Sequence, residues 1–533
     1  MARHRIWVLA LALGCSSASV RPTGVAGGGG LISQAELDAM IEASWQKAGV
    51  TPSPPASDGE FLRRATLDLA GRPPTLGETR VFLADQRPDK RTRLVDRLLG
   101  SPEFGEAWAD RYANLLWHEQ VKHSNRDRDP RAWLVKAFNE NVGYDKISGV
   151  ILAGRGDVEE HGGLTFITDR LRAAGPEGLT ASVARVFLGL QIQCAQCHDH
   201  PYDTRWKQED FWGLVAYFAG TRVRQDEKMM GERTLFIYDD AGYAMMPSRD
   251  YSSGVVVKPR FLGYQPRERP TESLRRAFFR AVVETDLFPK AMVGRTWSQL
   301  LGHGLVEPWD DLGGENDPHH PPLLVRLSED FRAGGFDVKR LVRQIVLSTA
   351  YARGSAPPPG APDDPQAAEV AVRAFARAGV RALSPEQLFR SLVVMTGMDV
   401  RTRHRAKDEE RAQKQLFSGM REFRFAFDDD EMGEATSFDG SVPQALMLLN
   451  GELSNEGTRS GADGVLGGIL RFRQQPADRL DDMMLATYGR KATEREKGLF
   501  LDRLPPGDGP AQRRPYENLF FALTISTEAL TNH

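Results

Sequence analysis

The residues with the clearest chemical potential lie at positions 194–198, with the sequence CAQCH. Two cysteines three positions apart, followed directly by a histidine, form the C-x-x-C-H pattern of c-type haem attachment. Each thiol can form a thioether with one haem vinyl group, and the adjacent imidazole can then bind the iron. The sequence therefore predicts a haem c site in which Cys194 and Cys197 hold the porphyrin and His198 is an axial ligand of the iron.

The residues after this motif leave other chemistries open. His200 and Asp203 follow His198 closely in the chain. Thiolate, imidazole and carboxylate groups are ligands of zinc and iron, so Cys194, Cys197, His200 and Asp203 form an alternative metal site. The two thiols could instead form a disulfide, as paired cysteines do in oxidising compartments.

The sequence does not single out a sixth ligand for a haem iron. His200 is too close to His198 in the chain to reach the opposite face of the porphyrin. Four methionines are candidates: Met229, Met230, Met245 and Met246. Three aromatic residues after the motif could cover the porphyrin faces: Trp206, Phe211 and Trp212.

Two further polar groups do not match the pattern of a dedicated site. His118, Glu119 and His123 miss the metalloprotease H-E-x-x-H spacing, because the second histidine falls off the helical face of the first. The acidic run at 428–431 lacks the alternating ligands and glycine of a calcium loop. We expect ordinary hydrogen-bonded histidines and a solvated acidic turn.

The N-terminal residues predict an export signal. A basic start is followed by the apolar run 6–13, which is much shorter than the ~20 residues of a membrane-spanning helix. Residues 12–15 (ALGC) resemble a bacterial lipoprotein signal, in which Cys15 would be lipidated and become the mature N-terminus. We therefore expect an export signal over 1–15, a Ser/Gly-rich tether over 16–32, and a mature protein in the periplasm or outer cell envelope. Membrane contact is expected only through a lipid anchor on Cys15.

Composition limits the classes of partner. The chain of 533 residues has 69 basic and 72 acidic side chains, which gives a net charge of −3. This balance gives no reason to expect nucleic acid as a partner. The 41% hydrophobic and 26% charged fractions are those of a globular protein with packed cores.

Hydrophobic periodicity predicts a mainly α protein in which two multi-helical domains flank a small β-containing segment. The predicted helical domain at 33–222 includes the C-x-x-C-H motif, and an apolar stripe from Leu179 through Val183 to Leu190 predicts a helix that leads straight to Cys194. Residues 223–270 form the predicted β-containing insert, with strands at 235–238 and 255–257. Residues 271–533 form the predicted C-terminal helical domain, with a Pro-rich linker near 354–365.

One internal repeat is visible in the sequence. The pattern G-R-x-x-T-x-x-E-x-x-x-F-L occurs at 71–83 and again at 489–501. In each copy, glycine can end one helix, while threonine and glutamate form a capping box for the next. We expect the two copies to share one turn-and-helix geometry with a packing role.

Several blocks together resemble two known families. The first blocks are 61–75 (FLRRATLDLAGRPPT), 137–140 (AFNE), 194–203 and 211–214 (FWGL). They resemble the planctomycete-type cytochrome-like family, domain of unknown function 1549. Later blocks resemble its usual companion, domain of unknown function 1553: 295–297 (RTW), 304–308 (GLVEP), 346–351 (VLSTAY), 383–388 (LSPEQL) and 443–450 (PQALMLLN).

The resemblance implies an exported protein in which Cys194, Cys197 and His198 are the haem residues, but it implies no established activity. The first family commonly has an Arg-Tyr-Ala-Asp run at the place where this chain has LWHE, residues 116–119.

Two function classes remain open. One is an envelope redox protein with haem c and an unknown redox partner. The other is a non-redox surface protein that binds or processes an extracellular polymer, with the Cys/His/Asp cluster as a structural or catalytic metal site or a disulfide.

Overall fold

A computed structural model describes residues 30–117, 130–201, 203, 205–227, 233–248, 253–262, 272–312, 319–361, 364–399, 402, 409–427, 442–461, 463–507 and 509–533. The predictions for Cys15, residues 16–29, His118, Glu119, His123, Met229, Met230 and residues 428–431 lie outside these ranges. Within the described residues, no helix combines the length and the apolar character needed to cross a membrane.

The structure confirms a mainly α protein with small β elements. The helices before the β segment are Gln34–Ala48, Asp58–Ala70, Leu76–Ala84, Lys90–Leu99, Pro102–Leu116, Pro130–Asn139, Tyr144–Ala153, Thr165–Val183 and Gln208–Val215. Side-chain caps define several of their starts. Ser33 Oγ, for example, accepts a hydrogen bond from the Glu36 amide at 3.1 Å, which satisfies one free donor of the first turn.

The later helices are Leu274–Glu284, Leu287–Leu301, Pro321–Ala333, Val338–Val346, Pro365–Arg373, Pro385–Thr396, Glu409–Phe427, Val442–Asn450, Glu452–Gly457, Val465–Phe472, Pro476–Tyr488, Glu494–Phe500, Pro510–Thr524 and Thr527–Leu530. The helix Pro365–Arg373 begins at the end of the predicted Pro-rich linker, with Asp364 as its N-cap. Proline also occupies the first turn of several other helices in this half, where its missing N–H costs nothing.

The β segment contains both predicted strands, but they belong to different sheets. Arg233–Asp239 pairs with Thr221–Glu227 and with the short strand Gly156–Asp157, whereas Gly254–Val257 pairs with Ala244–Pro247. All of these pairs are antiparallel. A third small sheet joins Arg381–Ala382 to Thr531–Asn532 near the end of the chain.

Among the described residues, two hydrophobic clusters form the interior. The first contains buried residues from Ile32 to Ala376, and the second contains Leu67 together with residues from Leu383 to Ala529. The helix Asp58–Ala70 contributes to both clusters and is buried along most of its length. The predicted domain boundaries at 222 and 271 stay predictions, and the packing shows that helices on either side of them share one core.

The internal repeat has the expected geometry. Gly71 and Gly489 end their helices with positive φ angles of 69° and 75°. Thr75 and Glu78, and equally Thr493 and Glu496, form complete capping boxes for the following helix. The arginine after each glycine makes two ion pairs in each copy: Arg72 with Glu78 and Glu103, and Arg490 with Glu496 and Glu528. The repeat is therefore a shared packing unit.

Candidate functional site

The helix that precedes the C-x-x-C-H motif ends earlier than predicted. The helix Thr165–Val183 continues as a π-helical turn, Ala184–Leu188, and ends at Gly189, whose φ is +63°. Cys194 lies beyond this end on a separate 3-10 turn, Gln193–Gln196, and Cys197 follows that turn directly. The prediction that one helix leads straight to Cys194 is therefore wrong, because a left-handed glycine breaks the helix five positions earlier.

The motif turns its reactive groups outward and its spacer inward. Cys194, Cys197 and His198 are exposed, and both thiols are free. Ala195 is 1% exposed, and Ile192 just before the turn is 3% exposed, so they hold the segment to the first core. This arrangement leaves the two sulfur atoms and the imidazole accessible to a group that approaches from the surface.

The imidazole of His198 has a defined partner on one side. Its Nδ1 lies 2.7 Å from the carbonyl oxygen of Asp199. A carbonyl only accepts hydrogen bonds, so Nδ1 carries the proton in the neutral ring and Nε2 has a free lone pair. Histidines that bind metals commonly have this arrangement, in which the second nitrogen donates to a carbonyl.

The end of the motif is fixed by the helix Gln208–Val215. Trp212 Nε1 donates to the Gln196 carbonyl at 2.9 Å, and Gln208 Nε2 donates to the carbonyls of Gln196 and Cys197 at 3.2 Å. The Gln208 amide also donates to the Asp199 carboxylate at 3.0 Å. These bonds hold the backbone of the motif while the side chains of Cys194, Cys197 and His198 stay exposed.

His200 and Asp203 are engaged in protein contacts. The Asp203 amide donates to His200 Nδ1 at 2.9 Å, and His200 Nε2 lies 3.2 Å from the Gln191 carbonyl. The Asp203 carboxylate accepts two hydrogen bonds from Arg205 at 2.8 Å. In the described part of the chain, no three His, Cys, Asp or Glu side chains form a group that could hold a metal ion. Cys194, Cys197, His200 and Asp203 thus do not converge as a ligand set in this structure.

The three aromatic residues that were expected to cover the porphyrin faces differ in how deeply they are buried. Phe211 and Trp212 are 1% and 6% exposed and belong to the first core, whereas Trp206 is half-buried beside it. Of the candidate sixth ligands that are described, Met245 is exposed and Met246 packs against the core, both on the strand Ala244–Pro247. That strand packs on the helix Gln208–Val215, which also contacts the motif turn.

Sequence reasoning missed a distant contributor to this site. Asp310 is buried, and its carboxylate accepts from Arg185 Nε and, at 2.8 Å, from Gln191 Nε2. Gln191 and Asp310 are 119 positions apart. The only sequence indication was that Asp310 follows the block at 304–308 that resembles the second family.

The donor set at the motif fits a c-type haem. Such a haem requires two accessible reduced thiols and an imidazole with an available nitrogen. The described geometry offers free, exposed Cys194 and Cys197 and the Nε2 of His198. These three residues would hold the group, which would supply one-electron redox chemistry there.

Comparison with known proteins gives two family matches. Residues 36–223 match the model of PSCyt2, a protein of unknown function (DUF1549), and residues 275–504 match the model of PSD1, a protein of unknown function (DUF1553). The C-x-x-C-H motif lies in the first matched segment and Asp310 in the second. No curated protein and no solved structure matches the chain.

Proposed function

We propose that this chain, which belongs to the PSCyt2 and PSD1 families in that order along its length, is an exported cell-envelope protein that carries haem c and takes part in electron transfer. Cys194 and Cys197 would hold the haem covalently, and His198 would bind its iron. The redox partner is a separate molecule of the cell envelope.

One observation carries this proposal. The imidazole of His198 donates through Nδ1 to the Asp199 carbonyl, so its Nε2 is the nitrogen with a lone pair for iron. Next to it, Cys194 and Cys197 are exposed free thiols on a backbone that Gln208 holds in place. Accessible thiols and a preset imidazole tautomer are the two properties that haem attachment needs from the chain.

The protein residues have separable roles in this proposal. Cys194 and Cys197 would hold the haem on the motif turn. The Asp199 carbonyl sets the direction of the His198 ring and leaves Nε2 as the nitrogen that would bind the iron. All three side chains are exposed, so a redox partner could approach the site from the surface.

The test is the visible spectrum of the protein after expression together with the haem-attachment machinery. We expect the chemically reduced protein to show the absorption bands of a c-type haem. The haem should stay bound to the protein after denaturation and acid–acetone extraction. The Cys194→Ala/Cys197→Ala variant should lose them, whereas His200→Ala, the matched nearby histidine, should keep them. A colourless product with one equivalent of zinc would instead support the structural-metal alternative.

Export and lipid anchoring belong to the same proposal. The apolar run at 6–13 and the ALGC segment at 12–15 support a lipoprotein signal with Cys15 as the anchor. Cell fractionation of a Cys15→Ala variant should show unprocessed or soluble protein, whereas the wild type should remain with the membrane fraction. Wild-type protein found in the cytoplasm with Met1 intact would contradict export.

A further inference from the structure

We infer that Asp310 of the PSD1 segment is a positioning residue that fixes the C-x-x-C-H turn of the PSCyt2 segment through Gln191. This inference rests on the proposed function for its significance. In this arrangement the second family segment supplies a buried anchor for the reactive turn of the first.

The anchor is a buried carboxylate with two donors. The side chain of Asp310 is 4% exposed and forms an ion pair with Arg185, which lies in the π-helical turn. Its Oδ1 accepts from Gln191 Nε2 at 2.8 Å. A carboxylate out of water is stable only when it is paired and hydrogen-bonded, so this contact favours one position of Gln191.

Two neighbouring contacts hold the same pair of segments together. Arg295 Nη2 donates to the Val186 carbonyl at 2.5 Å, and the Arg295 guanidinium lies 4.4 Å from the centre of the Trp309 ring. The Leu312 amide donates to the Gly189 carbonyl at 2.7 Å. The chain on both sides of Asp310 therefore packs against the turn that precedes the motif.

Gln191 passes this constraint to the motif. Its carbonyl oxygen lies 3.2 Å from His200 Nε2, and the other ring nitrogen of His200 accepts from the Asp203 amide. Gln191 and His200 thus close the loop that contains Cys194 and Cys197. Asp310 fixes Gln191 at the start of this loop, so removal of its carboxylate should loosen the whole turn.

The experiment is amide hydrogen exchange of the full-length protein, compared between wild type, Gln191→Ala, Asp310→Ala and the double variant. We expect exchange in the 190–203 peptide to rise about 10-fold in Asp310→Ala, because a hydrogen bond to a charged group is lost. The double variant should exchange no faster than Asp310→Ala, because both residues act through one contact. Asp310→Asn keeps an acceptor for Gln191 but loses the charge that pairs with Arg185, so exchange in this peptide should be slower than in Asp310→Ala and faster than in the wild type.

Asp286→Ala is the matched control, since the Asp286 carboxylate lies in the same family segment but pairs with Arg332 at the surface. It should leave the 190–203 peptide unchanged. Additive effects of Gln191 and Asp310, no recovery in Asp310→Asn, or an equal rise along the whole chain would overturn the inference.

A second readout separates this inference from the proposed function. If the wild type carries haem, its reduction potential should change in Asp310→Ala and return towards the wild-type value in Asp310→Asn. If the wild type carries no haem, the proposed function fails, but the exchange comparison still decides whether Asp310 positions the turn.

Discussion

The hydroxyl of Tyr351 donates to the buried carboxylate of Asp68 at 2.7 Å, across 283 positions of the chain. Arg381 and Asn532 donate to the same carboxylate, at 2.9 Å and 3.1 Å for their nearest contacts. Burial and the neighbouring Asp68 charge raise the pKa of Tyr351 well above its usual value, so its hydroxyl keeps the proton that it donates. Asp68 therefore connects the helix Asp58–Ala70 to segments of both hydrophobic clusters.

Replacement of this carboxylate should destabilise the protein strongly. Asp68→Asn leaves Arg381 without its negative partner, and breaking a buried ion pair costs about 3–5 kcal/mol. Tyr351→Phe removes a single hydrogen bond and should cost about 1 kcal/mol. Urea unfolding measures both free energies, and equal losses for the two variants would contradict the central role of Asp68.

Two glycines in the second repeat copy should respond in opposite directions to alanine. Gly489 has a φ of +75°, so Gly489→Ala should cost about 1–2 kcal/mol through backbone strain. Gly498 lies inside the helix Glu494–Phe500, and an added Cβ there would meet no atom within 4 Å. Gly498→Ala should therefore stabilise the protein by about 0.5–1 kcal/mol. Thermal unfolding of the two variants distinguishes these effects, and losses of the same size in both would contradict the turn geometry.

Acid should weaken the repeat turns over a defined range. A hydrogen bond from Arg490, opposed by burial and aided by bonds from Thr493, lowers the pKa of Glu496 from 4.5 to about 2. Because the folded pKa lies below the ordinary one, the contribution to stability is complete above pH 4.5 and is lost as the pH falls towards 2.

The variant Glu496→Gln tests this pH dependence. Its unfolding free energy should fall less steeply than that of the wild type between pH 4.5 and pH 2, because the titrating carboxylate is gone. Glu494→Gln removes a 91% exposed carboxylate from the same helix and serves as the surface control. Identical slopes for Glu496→Gln and wild type would show that the ion pair does not contribute as described.

Local features were predictable from the sequence because they depend on neighbouring residues. The capping boxes at Thr75 and Thr493 join residues three positions apart, so their pattern is visible in the letters alone. The mainly α fold followed from apolar periodicity for the same reason. The motif itself was also visible, since its chemistry lies within five consecutive residues.

Other features depend on contacts that periodicity cannot show. The apolar pattern continues through Leu188 and Leu190, but the positive φ of Gly189 ends the helix between them. The strand Thr221–Glu227 is mostly polar and forms because Arg233–Asp239 pairs with it. The contact between Gln191 and Asp310 spans 119 positions and joins two family segments, so no local sequence pattern predicts it.

Mass spectrometry of the proteolytic peptide that contains residues 194–198 tests the central claim most directly. The protein should be produced in cells that also mature a known c-type cytochrome, which confirms that haem attachment is working. We predict that the wild-type peptide is heavier by the mass of one haem and that the Cys194→Ala/Cys197→Ala peptide is unmodified. A wild-type peptide with two free thiols or a disulfide, recovered from the same cells, would contradict the assignment of Cys194, Cys197 and His198 as a haem c site.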